Sequence, residues 1–187
     1  MRYLISRIQL HKEDGTTINF DDYQLIDLED ENSLSMMPAL TVPQGEYTGI
    51  SFVYGFNEED NISGEYQDLN DANWNWPSML GGGYHFMQME GSFDDTNGDP
   101  MPYAYHNGTA RVSEGVFEQN FVVVDIDKDF TVDEDTSIEI KMDIAEWYVT
   151  PYTWDLNVFS SGLMMNYLAQ KHMQENAASV FSLGNIN

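Results

Sequence analysis

The chain of 187 residues has no cysteine, which excludes disulfides, thiolate metal sites and cysteine nucleophiles. Basic residues are scarce: 7 Lys+Arg stand against 32 Asp+Glu, a formal net charge of −25. So negative a surface repels phosphate backbones, and nucleic acid is not an expected partner. Cations are attracted by the same field. No apolar run reaches the roughly 20 residues needed to cross a bilayer as a helix, so no membrane-spanning segment is expected. Internal repeats, low-complexity tracts and linkers are absent, as are a nucleophilic triad motif, a phosphate-cradling glycine loop and an HExxH zinc motif. These absences leave one domain over residues 1–187 with no sign of an enzyme.

What is present is β-sequence. Candidate strands lie at about 3–11, 20–28, 47–55, 84–92, 101–106, 117–126 and 136–144. The clearest is Ser137–Ile144, where Ile138, Ile140, Met142 and Ile144 alternate with Glu139, Lys141 and Asp143. Such alternation describes a strand with one face buried and one in water. Phe121–Ile126 is β-branched through its middle, as in a more central strand. One helix is expected from about Ser161 to Ala178, where Met, Leu, Ala, Gln and Lys are frequent. Residues 57–80, rich in Asn, Asp and Gly, read as a long irregular loop. Short strands with frequent turns predict an antiparallel β-sandwich with one C-terminal helix, an all-β fold.

Candidate chemistry concentrates in one stretch. Trp74 and Trp76 flank Asn75, and Gly83-Tyr84-His85-Phe86-Met87-Gln88-Met89-Glu90-Gly91 follows. His106 lies just beyond, before Asn107-Gly108, where a strand meets a turn. Imidazole is the commonest metal ligand and suits copper. On uninterrupted alternation His85 shares a face with Met87 and Met89, whose thioethers are soft ligands or, more often, core filler. The two tryptophans serve either as structural cover or as a stacking platform for carbohydrate. Asp94, Asp95 and Asp99 surround the Asn97-Gly98 turn and form a candidate calcium loop, without the glutamate and spacing of an EF-hand. His11, His172 and the sequons Asn61-Ile62-Ser63 and Asn107-Gly108-Thr109 read as surface features.

The sequence resembles the MbnP-like copper-binding domain family, exported proteins that include many lipoproteins of the Bacteroidetes. The resemblance covers most of the chain. It rests on Tyr3–Leu10 with Asp14-Gly15, on Tyr23–Asp27, and on Gly45–Phe52 with Gly55. Its most specific part is the W-x-W of Trp74 and Trp76 followed by Gly83–Gly91, then Tyr105–Gly108, Ala145–Tyr148 and the terminal helix. Two features depart from the family pattern: His85 stands where Lys or Arg is usual, and Gly81-Gly82-Gly83 lengthens the run after the tryptophans. The resemblance implies a copper ion held by His106; His85, which departs from the family pattern, is a candidate second ligand only through its imidazole chemistry. The resemblance also implies an oxidised tryptophan at Trp74 or Trp76, made by a haem-containing oxidase partner. A periplasmic or cell-surface lipoprotein is the implied setting. Met1-Arg2 leads straight into a strand, so a leader or upstream strand is expected before Met1. The competing expectation is a carbohydrate- or protein-binding surface module that uses the aromatics and no transition metal.

Overall fold

The structure is a computed structural model that describes residues 1–20 and 22–187. Eleven strands form among the described residues: β1 Arg2–His11, β2 Thr17–Asn19, β3 Tyr23–Asp27, β4 Gly45–Tyr54, β5 Met87–Asp94, β6 Pro100–Asn107, β7 Ala110–Ser113, β8 Val116–Glu118, β9 Val122–Val132, β10 Ile138–Met142 and β11 Phe181–Ile186. Two α-helices join them, the one-turn α1 Gln67–Asp71 and α2 Tyr167–Ala177.

Seven strands make the main sheet, in the order β6-β5-β1-β4-β9, with β2 and β3 also paired to β1. Its named pairings are antiparallel. The opposing layer is the two-stranded β10–β11 sheet with the segment leading into α2. Phe181 of β11 meets Phe52 edge-on at 5.1 Å and lies 6.1 Å from Tyr54. Trp147 packs on Tyr54 at 5.4 Å and on Tyr105 at 6.0 Å. The core between the layers is therefore largely aromatic, as a 13% aromatic content requires. The expected all-β sandwich with one substantial C-terminal helix is observed.

The differences from expectation have local causes. The expected strand 20–28 is shortened to β3 at Tyr23–Asp27, the short β2 precedes it at Thr17–Asn19, and position 21 lies outside the described residues. The expected strand 117–126 divides into β8 and β9, and β9 runs on to Val132 against β4. Loop 57–80 contains α1 and a 3₁₀ turn at Ser78–Leu80. The helix starts at Tyr167 rather than Ser161. Gly162 has φ +68°, residues Leu163–Met165 form a separate 3₁₀ turn, and the Asn166 side chain accepts the Ala169 N–H as the N-cap.

The β5–β6 hairpin carries most of the candidate site. Asp95 closes its turn: one carboxylate oxygen accepts N–H bonds from Asn97 at 2.7 Å and Asp99 at 3.0 Å. These bonds hold the Asp95 carboxyl below its ordinary range. The hairpin then zips in register from Asp94↔Pro100 to Met87↔Asn107, which sets Gln88 opposite His106.

Candidate functional site

The alternation that would place His85 with Met87 and Met89 breaks at Phe86, where the chain bends. The Phe86 N–H donates to the Asn107 carbonyl at 2.8 Å, and its own carbonyl accepts from Leu4 at 2.9 Å. Met87 and Met89 continue into the core cluster. His85 instead joins a short antiparallel pair with the tryptophan segment. Asn75 bridges Tyr84, the Trp76 N–H donates to the Gly83 carbonyl, and the His85 N–H donates to the Trp74 carbonyl, each bond 2.9 Å. The expected His-Met-Met face is thus corrected, because period-2 counting fails across a bend.

His85 and His106 converge. Their rings meet edge to face with centroids 5.4 Å apart. Trp76 stands edge-on to His85 at 4.9 Å and Trp74 lies at 5.4 Å. Arg2 covers the other tryptophan contact: its guanidinium sits 5.0 Å from the centre of Trp74 and donates to Gln88 and to the Ala72 carbonyl.

Hydrogen-bond partners fix both imidazole tautomers. His85 Nδ1 lies 3.1 Å from the Trp74 carbonyl oxygen. A carbonyl only accepts, so Nδ1 carries the proton and Nε2 keeps a lone pair. His106 Nε2 lies 2.8 Å from a Glu90 carboxylate oxygen. That carboxylate also accepts, so Nε2 carries the proton and Nδ1 keeps the lone pair. Burial pushes the His85 imidazole down to about 4, with the Trp74 carbonyl pulling the other way and His106 and Arg2 adding to the fall. Burial also lowers His106, opposed by Glu90. At neutral pH the site is a pair of neutral imidazoles, each with one uncommitted lone pair.

The tryptophans are not a platform. Trp74 is fully buried and Trp76 is 2% exposed, so neither offers a ring face to a sugar. They also differ. The Trp76 indole N–H donates to the carbonyls of Leu80 at 3.2 Å and Thr109 at 3.0 Å. Among the described residues the buried Trp74 indole N–H has no hydrogen-bond partner. Trp76 fits because Gly108 has no side chain; a Cβ there would come within 2.6 Å of the indole ring.

Among the described residues, no group of three or more His, Cys, Asp or Glu is arranged to hold a metal ion. Asp94, Asp95 and Asp99 of the candidate calcium loop are not among such a group, and Asp95 accepts the N–H bonds of its turn. For the histidine pair the same finding limits the histidine and carboxylate donors to the two imidazoles. Two neutral nitrogens beside aromatic walls fit a soft monovalent ion better than a hard dication, which would demand oxygen ligands.

Several residues read as surface features in the sequence in fact build the site. The Asn61 side chain accepts the Tyr84 N–H at 2.9 Å and donates to Thr109 Oγ1 at 3.2 Å. Ser63 accepts the Gly83 N–H at 2.6 Å. Asn107 is fully buried and donates to Gln170, whose own amide donates to the His106 carbonyl at 2.7 Å. The second sequon is therefore turned inward, and the Asn61 side chain of the first is committed to internal hydrogen bonds while Ile62 and Ser63 remain exposed. Glu90 was also missed as a partner of His106; the hairpin register, set by the Asn97-Gly98 turn, places it diagonally across the strand pair.

Comparison with known proteins agrees with this architecture. The MbnP family model matches residues 1–165. The solved structure of MbnP from Methylosinus trichosporium superposes with a TM-score of 0.54 at 14% identity, covering 98% of this chain and 85% of that one. That likeness concerns the fold. No curated protein matches the chain.

Proposed function

The chain belongs to the MbnP family, and from that premise we propose that it is an exported copper-binding protein with no turnover of its own. The observation that carries the reading is the complementary tautomer pair. His85 offers Nε2 and His106 offers Nδ1 from rings in contact, and each is oriented through its other nitrogen. Metal-binding histidines are commonly held this way, by a carbonyl or carboxylate on the second ring nitrogen.

Copper is the cargo, and as Cu(I) it would be held by these two nitrogens. The chain's own residues do the remaining work. Glu90 and the Trp74 carbonyl orient the rings, and Trp74 and Trp76 exclude water from one side. Burial keeps the imidazoles unprotonated, and the Arg2 charge adds to it. The acidic surface raises the local cation concentration without choosing among metals. Of the two tryptophans, Trp74 is the residue we assign to oxidative modification by a separate haem-containing oxidase. Its indole N–H is unpartnered among the described residues, while that of Trp76 donates to two carbonyls. A periplasmic or cell-surface lipoprotein setting completes the proposal.

The test is anaerobic loading with Cu(I), exhaustive dialysis and elemental analysis of the wild type, His106→Ala and His85→Ala. Near-stoichiometric copper in the wild type and its loss in both variants supports the pair. Copper absent from the wild type, or retained by either variant, overturns it. Tandem mass spectrometry of protein from its native host tests the assignment of Trp74, which fails if only Trp76 is altered.

A further inference from the structure

The two histidines lie on segments that share no continuous strand pairing at His85. Pairing of β5 with β6 ends at Met87↔Asn107, and His85 lies beyond the bend. On one side of His85 the Phe86 N–H bond to the Asn107 carbonyl ties the two segments; a second tie lies on the other side. One side chain connects the two segments directly. Asn61 accepts the backbone N–H of Tyr84, the residue before His85, and donates to Thr109 Oγ1, three residues after His106. The same Thr109 accepts the Trp76 indole N–H through its carbonyl and is 2% exposed.

The surroundings admit little else at this position. Gly83 has φ +80°, and a Cβ there would collide with the Asn61 side-chain amide. Ser63 holds the Gly83 N–H beside it. The loop itself is anchored from β1. Arg7, in the bulge between Ser6 and Gln9, pairs with Asp60 at 2.5 Å and with Glu59 at 2.8 Å. The Asn61 N–H donates to the Asn57 carbonyl at 3.0 Å.

We infer that Asn61 is a positioning residue for the copper pair: it sets the distance between His85 and His106 by tying Tyr84 to Thr109. The inference rests on the proposed copper reading for its purpose, but its geometry stands on the hydrogen bonds of Asn61 alone. The Asn61 amide performs both tasks, because its carbonyl oxygen accepts and its NH₂ donates in one fixed plane. Asp keeps the acceptor and loses the donor. Ala loses both.

The test compares wild type, Asn61→Ala, Asn61→Asp and Thr109→Val as full chains. Thr109→Val removes the hydroxyl acceptor and leaves the backbone carbonyl that holds Trp76. Proton–proton NOEs between the two imidazole rings and imidazole ¹⁵N shifts are measured without metal. Cu(I) affinity is measured by competition with a chromophoric chelator, and thermal melting monitors the fold. The expected result is loss of the ring–ring NOEs in Asn61→Ala, partial loss in Asn61→Asp and Thr109→Val, and Cu(I) binding weakened tenfold or more in Asn61→Ala. Wild-type ring contacts in a folded Asn61→Ala overturn the inference. If Asn61→Ala does not fold, unchanged contacts in Thr109→Val overturn it instead. Should the wild type bind no Cu(I), the copper reading fails, and the NOEs still decide the role of Asn61.

Discussion

Burying His85 as a neutral imidazole makes the stability of the apo protein depend on pH in a defined window. The ordinary histidine value is about 6.5, and burial carries the folded value down to about 4. A depressed histidine means that the unfolded chain binds the proton more readily. Stability from this residue is full above about pH 6.5 and is lost as pH falls toward 4. At 1.36 kcal/mol per unit, the loss relative to pH 7 is about 2 kcal/mol by pH 5 and about 3 kcal/mol by pH 4. His106 contributes in the same direction, because its value is also lowered. Relief of repulsion on a chain of charge −25 acts the other way as carboxylates protonate. A difference measurement removes that background. His85→Gln keeps an amide N–H for the Trp74 carbonyl and does not titrate. Urea unfolding followed by tryptophan fluorescence, with chelator present, gives the stability of both proteins from pH 7 to 4. The wild type should lose about 3 kcal/mol more than the variant across that range. Parallel profiles would refute the buried neutral imidazole and the tautomer argument built on it.

Three further outcomes follow from particular contacts. Gly108→Ala should lower stability by about 1–3 kcal/mol, since its Cβ overlaps the Trp76 ring; a thermal melt matching the wild type would show that the ring yields freely. Gln170→Ala removes partners from the His106 and Leu163 carbonyls, the Asn107 amide and the Gly108 N–H together. Chemical denaturation should register a loss of about 3 kcal/mol or more, as buried polar groups are left unpaired. Calcium chelation should leave the melting temperature unchanged, because the Asp95 carboxylate closes a turn; a drop on adding chelator would establish a calcium site at that loop.

Much of the architecture was legible in the sequence because its causes are local. Alternation in Ser137–Ile144 is a property of consecutive residues, and β10 forms within it. Asp95, Asn97 and Gly98 specify their turn among themselves, and the β5–β6 register follows from it. The W-x-W, the Gly83–Gly91 run and the His106 turn carried the family resemblance, and with it the choice of His106, while His85 was chosen for its imidazole. Helix composition announced α2 but overran its start, since the Asn166 cap depends on how the preceding chain is placed.

What the sequence by itself determined, then, was strand chemistry, the hairpin turn and the residue types available for a metal. Only the tertiary structure decided which of them meet. A bend at Phe86, held by Asn107 and Leu4 from two other strands, turns His85 away from Met87 and toward His106. Asn61 and Thr109, 48 residues apart, become a single clamp. The physical reason is that a side chain's face is set by local periodicity only while the strand continues. Beyond a break, hydrogen bonds from distant segments choose its direction, and no window of neighbouring residues contains them.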